Sequence, residues 1–591
     1  MPKFKYTVIL LFFALCTFAC AAICIAQPKN STEIDYTLDL DSDEFVTLPK
    51  IFFPDIDLSG RGFSRQSIWP QELCAREVLE TWQEDIGFKG LFRLQYNLWD
   101  INEFSKNKNL QDKQISNYDD VLQRITDAGG TALVTIFGTP AGLGRVLDKR
   151  SPPKNIKAFK ELVKEHIRYL SCQKNYNIWY EVWSAPDLDD FFLGKSPEYL
   201  YIYRAVAQAI MELEEETGKN IPVGGPSTSW WFQNVNGNSI ITPERSLIYQ
   251  LIKFCYQYHL PLDFISWHAY STDPKCEKEL TSYKKTPEKL IRAWLSYFRF
   301  KPDVPLIVDE WNYDSGANLL PARGQKAEVG ASYIPARLED MYEAGIDYHT
   351  YFSMEDFKGN KENVISNVGA FWFDSDSAGY KGYPKSIYNV FRMIASLEKK
   401  LFIKPDLEDE FVGVISTEDK GRIVIIIYNY IDPDIALNFL SRSIATLQGG
   451  ERKILARQVK SGELSKILSD EEEFKRLRAR KRVKALLGDA RRLRKSAEIF
   501  RVTPRELKLN LKNLRGTYLK QRYIVDSSCT LNCQFAPVEA KQVDIKKSYQ
   551  ETIILEPYSV NMLIFQPETP EPAPPPAQEK SQDDSRKEPG T

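Results

Sequence analysis

Acidic, basic and aromatic side chains stand at the ends of several apolar runs in this 591-residue sequence. Glu310 closes VPLIVDEWN, and His268 and Tyr270 close LDFISWHAY. Carboxylates can act as nucleophiles or as general acids and bases, and aromatic rings offer flat apolar faces. A cleft that combines these groups suits a polyhydroxylated ligand. The other candidates at such positions are Arg93, Trp183, Ser184, Asp187, Glu355, Asp356, Trp372 and Asp374.

Short apolar runs alternate with amphipathic stretches between about residues 86 and 395, and this alternation predicts parallel strands covered by helices on both faces. Seven runs, with an eighth strand expected before residue 86, favour an α/β fold with a (β/α)8 TIM barrel at 45–395, whose reactive groups lie where strands end. A doubly wound open sheet is the alternative, but no GxGxxG motif follows the first run. The predicted strands lie at 90–98, 131–140, 177–183, 220–227, 262–270, 304–312 and 347–354.

Alternating strands without crossover helices follow residue 395 and predict a C-terminal β-sandwich at 396–566. A helical, strongly basic insertion interrupts this sandwich at about 449–500. A solvated helical pair is the structural interpretation of that charge run. An anionic partner, such as an acidic polysaccharide or the membrane surface, is the functional one. The Pro-rich, charged tail at 567–591 predicts disorder.

The N-terminus and the overall charge restrict where the protein acts and what it binds. The net charge of -2 gives no indication of a nucleic-acid partner, so none is expected. Lys3 and Lys5 precede a long apolar run, and small residues then mark a cleavage site, so residues 1–26 predict a signal peptide. We therefore expect export to the periplasm, the medium or a membrane surface. The length of the apolar run leaves an uncleaved anchor, and membrane association through it, as the alternative.

Three of the nine cysteines lie in that N-terminal segment, which leaves six in the rest of the chain. An even number in an exported protein permits disulfides, and Cys529 and Cys533 are the candidate pair because they are close in sequence. Buried free thiols are the alternative. No CxxC motif or Cys/His cluster has metal-ligand spacing, and the chain has only four histidines, so neither a metal nor a cofactor is expected.

Six stretches, in the same order along the chain, resemble glycoside hydrolase family 39, the clan A group of retaining β-xylosidases and α-L-iduronidase. IGFKGLFRLQ resembles the family's "iGf…R-x-H" strand, with Gln95 in place of the histidine. WYEVWSAPDL resembles "fEvWNEPnL", and PLIVDEWN resembles "PlilTEWN". The other three stretches are ISNYDDVLQRITDAGGTALVTIFGTP, PVGGPST and DFISWHAYS. The resemblance covers about residues 50–400 and implies a barrel followed by a sandwich.

This resemblance implies a retaining glycosidase that acts on a carbohydrate substrate, and such enzymes need two carboxyl groups about 5–5.5 Å apart. Glu310 matches the nucleophile, and Ala185 occupies the position of the acid/base Glu. Ser184 replaces an Asn that contacts the sugar 2-hydroxyl in the family. Glu181 matches a structural Glu, so the nearest substitute acid is Asp187. More remote substitutes are Asp189, Asp190 and Glu355.

The remaining candidates are expected to bind the substrate or to orient catalytic groups. Arg93 is expected to orient a carboxylate such as Glu310, and His268 and Tyr270 to line the cleft. Trp183, Trp311 and Trp372 either pack in the interior or stack on sugars. Two functions stay open: a glycosidase whose activity is reduced or altered by Ala185, and a catalytically inactive carbohydrate-binding or scaffold protein on a glycosidase barrel.

Overall fold

The computed structural model describes residues 33–59, 73–104, 107–231, 243–277, 286–313, 327–356, 368–372, 382–403, 407, 409–443, 447 and 449–568. The predicted signal segment 1–26, Asp374 and nearly all of the predicted disordered tail lie outside these residues. Among the described residues, no helix is both long enough and apolar enough to cross a membrane.

Eight parallel strands close into a barrel in the order β10-β3-β4-β5-β6-β7-β8-β9, which confirms the predicted TIM barrel and excludes the open sheet. β4 and β9 are buried at every position, as expected for strands that helices cover on one side and the barrel interior on the other. The barrel strands are β3 (Ile56–Asp57), β4 (Leu91–Asn97), β5 (Thr131–Phe137), β6 (Ile178–Val182), β7 (Val223–Thr228), β8 (Phe264–Tyr270), β9 (Leu306–Asn312) and β10 (Tyr348–Tyr351).

Amphipathic helices surround this barrel and bury one face against the strands. The helix after β5 shows the pattern, because its buried residues Phe159, Val163 and Ile167 recur every fourth position. Asn155 begins that helix and accepts a hydrogen bond from the amide of Ala158. The helices are α1 (Arg76–Asp85), α2 (Leu98–Phe104), α3 (Lys108–Asp127), α4 (Ile156–Ile167), α5 (Ser196–Thr217), α6 (Leu247–Tyr258), α7 (Pro287–Tyr297), α8 (Ala327–Glu343) and α9 (Ser386–Ala395).

The C-terminal region forms two further sheets, as predicted, but both recruit strands from before the barrel. β1 (Glu33–Asp39) pairs in parallel with β16, and β2 (Phe45–Thr47) pairs with β13. The alternating burial of β1 places Ile34, Tyr36 and Leu38 in the core between the sheets. The sheet orders are β1-β16-β19 and β18-β17-β20-β15-β14-β13-β2. The remaining strands are β11 (Phe371–Trp372), β12 (Tyr383–Pro384), β13 (Lys400–Phe402), β14 (Val412–Asp419), β15 (Arg422–Asn429), β16 (Arg505–Lys512), β17 (Gly516–Val525), β18 (Glu539–Ile545), β19 (Ser548–Leu555) and β20 (Val560–Pro567).

A helical insertion lies between β15 and β16 and has its own hydrophobic core. α14 is strongly amphipathic, and the residues that it buries include Val483, Leu487, Ala490 and Phe500. Four helices lie between residues 449 and 500, where the charge pattern suggested a pair. The insertion comprises α10 (Ile435–Ser443), α11 (Gly449–Ser461), α12 (Glu463–Ser469), α13 (Glu471–Arg476) and α14 (Lys481–Phe500).

The predicted pair of cysteines forms a disulfide between Cys529 and Cys533, whose Cα atoms are 5.2 Å apart. It lies against the barrel, because the side-chain amide of Asn389 in α9 donates to the Cys533 sulfur at 3.0 Å. The other cysteines among the described residues, Cys74, Cys172, Cys255 and Cys276, form no disulfide.

We predict that Leu38→Ala lowers the free energy of unfolding by about 2–4 kcal/mol, because it opens a cavity between the two C-terminal sheets. Asp35→Ala, on the exposed face of the same strand, should change it by less than about 0.5 kcal/mol. Denaturant titration of both variants measures the difference. Equal effects would contradict the placement of this N-terminal strand in the C-terminal core.

Candidate active site

One buried guanidinium, that of Arg93, organises the site inside the barrel. Its Nη1 lies 2.7 Å from Asp57 Oδ2 and 2.5 Å from Glu310 Oε1, and its Nε lies 2.9 Å from Glu181 Oε2. The strands β3, β4, β6 and β9 supply these four residues, and side chains on alternate positions of barrel strands face the interior. The barrel therefore brings together carboxylates that are up to 253 residues apart in sequence, from Asp57 to Glu310.

The second oxygen of Glu310 faces two groups from β8. The hydroxyl of Tyr270 donates to Glu310 Oε2 at 3.0 Å, and Nδ1 of His268 lies 3.3 Å from the same oxygen. Nε2 of His268 lies 3.0 Å from the hydroxyl oxygen of Ser227. These contacts fix the Glu310 carboxylate from both sides, as a nucleophile or a structural carboxylate requires. They also place Arg93, His268 and Tyr270 beside the predicted nucleophile.

Burial sets the protonation preferences of this cluster. It raises the pKa of Glu310 above its ordinary value, although the charge of Arg93 and the hydrogen bonds from Arg93 and Tyr270 oppose the shift. Burial likewise raises the pKa of Asp57 to about 6, against the opposing charge of Arg93. Burial, reinforced by Arg93, holds the pKa of His268 well below its usual range, so its imidazole is neutral.

Glu181 differs from the other carboxyls, because burial is outweighed there by Arg93 and by hydrogen bonds from Ser266 and Thr135, so its pKa is lowered. The hydroxyls of Ser266 and Thr135 each donate to Glu181 at 2.7 Å. Asp309 shows the opposite behaviour, because burial and the charge of Glu181 raise its pKa well above its ordinary value. The shifts therefore favour the anion at Glu181, as expected for a structural residue, and the protonated form at Asp309.

The loop after β6 brings residues 184 and 185 to the same cluster. Nη2 of Arg93 lies 3.3 Å from the hydroxyl oxygen of Ser184, and the amide of Ala185 donates to the carbonyl of Ser227 at 2.8 Å. Trp183 and Ala185 have positive φ angles of 70° and 43°, which non-glycine residues seldom adopt. The backbone therefore holds a strained turn at this position, and its side chain is a methyl group.

The substitute acids predicted from the sequence are engaged elsewhere in the structure. Asp187 is fully buried, and its carboxylate accepts hydrogen bonds from the amide and hydroxyl of Ser229 at 2.8 and 2.5 Å. Burial raises its pKa to about 6, with the Ser229 hydrogen bonds opposing. Glu355 is also fully buried and accepts from the amide of Ala75 at 3.1 Å. The remote candidates Asp189 and Asp190 are exposed on the loop.

The tryptophans differ in exposure. Trp183 is fully buried between Phe137 and Phe192, whose ring centroids each lie 5.2 Å from its own. Trp311 is also fully buried, and its indole N–H donates to His349 at 3.0 Å. The structure therefore favours packing over sugar stacking for these two rings. Trp372 is half-buried in β11 and keeps part of its side chain accessible.

Asp57 and Ser227 are among the cluster residues that were not recognised from the sequence. Asp57 ends a barrel strand of only two residues, too short to be recognised by its pattern. Ser227, in the quoted PVGGPST stretch, has a φ of 53° and lies 3.4 Å from Nη2 of Arg93. Among the described residues, no group of His, Cys, Asp and Glu could hold a metal ion.

Comparison with known proteins relates this geometry to a family. A family model described as glycosyl hydrolases family 39 matches residues 138–435. A β-xylosidase of Caldicellulosiruptor saccharolyticus is 22% identical over 384 residues, which are 61% of this chain and 72% of that protein. A β-xylosidase of Geobacillus stearothermophilus is 23% identical over 297 residues, and the match spans 48% of this chain and about half (53%) of that protein.

Solved structures show the same fold at low sequence identity. A GH39 enzyme from Xanthomonas axonopodis pv. citri superimposes with a TM-score of 0.58 at 14% identity, covering 92% of this chain and 98% of that one. A monomeric β-xylosidase from Caulobacter crescentus CB15 gives a TM-score of 0.59 at 15% identity, covering 91% and 100%. Both similarities extend through the barrel and the C-terminal sheets.

We predict that Arg93→Met lowers the free energy of unfolding by about 3–5 kcal/mol at pH 7.5, because it leaves buried carboxylates without a counter-charge. Without Arg93 their folded pKa values rise above the unfolded ones. The native state then binds more protons than the unfolded state, and stability falls as the pH rises from 5 to 8. Arg124→Met, which removes a partly exposed ion pair, is the control, expected to cost less than about 1 kcal/mol. Denaturant titrations at pH 5 and pH 7.5 measure both, and a pH-independent loss in Arg93→Met would contradict the assignment.

Proposed function

Because the chain belongs to glycosyl hydrolase family 39, we propose that it is an exported retaining-type glycosidase with Glu310 as nucleophile and without the usual acid/base at position 185. The observation that carries this proposal is the pair of contacts that fixes Glu310, from Arg93 on one oxygen and from Tyr270 on the other. A nucleophilic carboxylate needs such fixation, because attack on a sugar requires a near-attack geometry. Export rests on the sequence of residues 1–26.

The proposed chemistry begins with attack of a Glu310 oxygen on the anomeric carbon, as the bond to the leaving-group oxygen breaks. That leaving oxygen normally takes a proton from the second carboxyl, but Ala185 has no proton to give. General acid–base assistance contributes roughly 100- to 10,000-fold to such steps. We therefore expect glycosides with poor leaving groups to react slowly. Glycosides whose leaving group is stable as an anion need no proton and should form the glycosyl-enzyme readily.

The second step also depends on the missing group, because water needs a general base to attack the glycosyl-enzyme. Asp187 could serve only after it leaves its hydrogen bonds with Ser229. The relatives named β-xylosidases make xylosides the first substrates to test. Ser184 in place of the family's Asn removes an amide that would contact the sugar 2-hydroxyl, which also favours altered specificity.

A catalytically inactive carbohydrate-binding protein is the second candidate function. One observation favours it: Asp187 and Glu355, the nearest acids considered as substitutes, are fully buried and hydrogen-bonded outside the Arg93 cluster. In that case the barrel binds a saccharide in the cleft proposed for the substrate, and the Glu310 carboxylate serves only to balance the positive charge of Arg93.

We predict that the protein releases nitrophenol from activated aryl xylosides and that azide accelerates this release about ten-fold or more. Azide needs no general base, so it can attack the glycosyl-enzyme directly and give a β-glycosyl azide. Absorbance measures the rate, and mass spectrometry identifies the azide product. Glu310→Gln is the control and should give no turnover with or without azide. Saccharide binding without any turnover of the natural protein would favour the second candidate.

We also predict that Ala185→Glu, combined with Ser184→Asn, raises hydrolysis of unactivated xylo-oligosaccharides by about 100-fold or more and removes the response to azide. Ala185→Gln, similar in size but without a carboxyl group, is the matched control and should give no gain. Product analysis by chromatography measures the rates. If Asp187→Asn abolishes the natural protein's activity instead, Asp187 is the acid, and the proposal of a missing acid/base is wrong.

A further inference from the structure

We propose that the helical insertion carries a binding surface for a linear acidic polysaccharide. This surface, called the basic strip below, consists of Arg478, Arg480, Lys481, Arg482 and Lys484. The whole chain has a net charge of -2, yet residues 449–500 contain sixteen basic and eight acidic residues. The positive charge is therefore concentrated on one element, whereas the rest of the chain is acidic.

The first part of the strip is an extended segment whose side chains alternate. Backbone angles at Leu477 and Arg480, which flank the link between α13 and α14, lie in the extended region. Leu477 and Ala479 pack against the insertion core, while Arg478 and Arg480 are exposed. Outward residues in an extended chain recur about every 7 Å, so the two guanidiniums form a regular row. A linear polymer with repeated negative charges matches such a row.

No carboxylate among the described residues forms an ion pair with any residue of the basic strip. The neighbouring acids on α13 are engaged otherwise, because Glu472 pairs with Lys475, Glu473 with Arg476, and Glu471 with Arg491. The ammonium of Lys484 donates to the Lys475 carbonyl at 3.4 Å. The strip therefore presents uncompensated positive charge to solvent.

The position of this charge opposes helix stability. Arg480 precedes the first residue of α14, and neither an acidic first turn nor a side-chain cap offsets the positive end of the helix dipole there. Cations at a helix N-terminus are unfavourable, whereas anions at that end are stabilising. The charges of the strip are thus unfavourable at this helix end, and a bound anionic polymer would compensate both the side chains and the helix end.

The chemistry of the surroundings favours a polysaccharide over a membrane or a nucleic acid. A helix that lies in a membrane interface exposes an apolar face, but the apolar face of α14 is buried in the insertion core. Single-stranded nucleic acids stack on exposed aromatic rings, and the Phe474 ring is instead covered by Lys484 and Arg491 at 5.6 and 5.0 Å. The choice of a glycan polymer rests on the proposed function, because the family acts on glycosidic bonds.

The insertion also connects the strip to the barrel. Arg501, which follows α14, donates to the Asp432 carbonyl at 3.0 Å, and Asn438 of α10 donates to Thr272 at 2.9 Å. Thr272 follows β8, whose last residue is Tyr270. The 20-residue helix α14 separates the strip from this junction by on the order of 30 Å. A ligand that occupies the strip and the cleft together must therefore be a polymer.

The test measures binding of the purified full chain to fluorescent polygalacturonate in 50 mM NaCl. We expect Arg478→Gln/Arg480→Gln/Arg482→Gln to weaken binding roughly ten-fold or more, and 0.5 M NaCl to abolish it. The matched control Lys89→Gln/Lys253→Gln/Lys301→Gln removes three exposed charges from the barrel and should change binding less than about two-fold. Thermal melts establish that both variants stay folded.

Neutral arabinoxylan, vesicles of phosphatidylglycerol and single-stranded DNA serve as comparison ligands. Weaker binding to all three than to polygalacturonate supports the proposal. Equal losses in both triple variants, or strip-dependent binding only to vesicles or DNA, overturns it. The binding test does not depend on catalysis. A negative result for the basic strip would not affect the proposal for Glu310, and a catalytically inactive protein would still give a valid binding measurement.

Discussion

A single buried positive charge determines the arrangement of the barrel interior. Arg93 is fully buried and faces four carboxyl groups, those of Asp57, Glu181, Asp309 and Glu310. One cation cannot neutralise four anions in a low-dielectric interior, so part of the cluster must stay protonated. The pKa directions agree, because Glu181 is shifted towards the charged form and Asp309 strongly towards the neutral form. The predicted nucleophile thus lies in a group of residues that share charge and protons.

Sequence patterns predicted the barrel well because parallel strands buried on both faces give apolar runs, and turns and helices separate those runs. They predicted an eighth barrel strand before residue 86 but could not locate it, and they did not identify strands that pair across long distances. β3 has two residues, and β1 joins β16 only after more than 450 residues. For the site, the motifs predicted Arg93, His268, Tyr270 and Glu310, and the structure brings these four side chains together inside the barrel. The motifs could not distinguish buried from accessible tryptophans, because the exposure of each ring depends on neighbours such as Phe192.

The turn at residues 183–185 is held by contacts that do not depend on the side chain of residue 185. Positive φ angles at Trp183, Ala185 and Ser227 give uncommon conformations to the loop after β6 and to the end of β7, and the Ala185 amide joins the two by donating to the Ser227 carbonyl. Such strain persists only when surrounding contacts determine the backbone. Here the packing of Trp183 and the Arg93–Ser184 contact hold the turn, and the Ala185 methyl group contributes no polar contact. The backbone of this loop is therefore compatible with an alanine at position 185.

The structure therefore restricts the residue at position 310 more than the residue at position 185. Removal of the Glu310 carboxylate would take away one partner of Arg93 and alter a buried charge balance on which folding depends. Residue 185 pairs with no charge in the described part of the chain, so an uncharged residue there leaves the interior intact. Folding alone is thus a reason for a carboxylate at position 310, whereas it gives no such reason at position 185. A residue without a carboxyl group at position 185 can therefore leave the whole Arg93 cluster in place, and the presence of Glu310 indicates a stable barrel before it indicates a working enzyme.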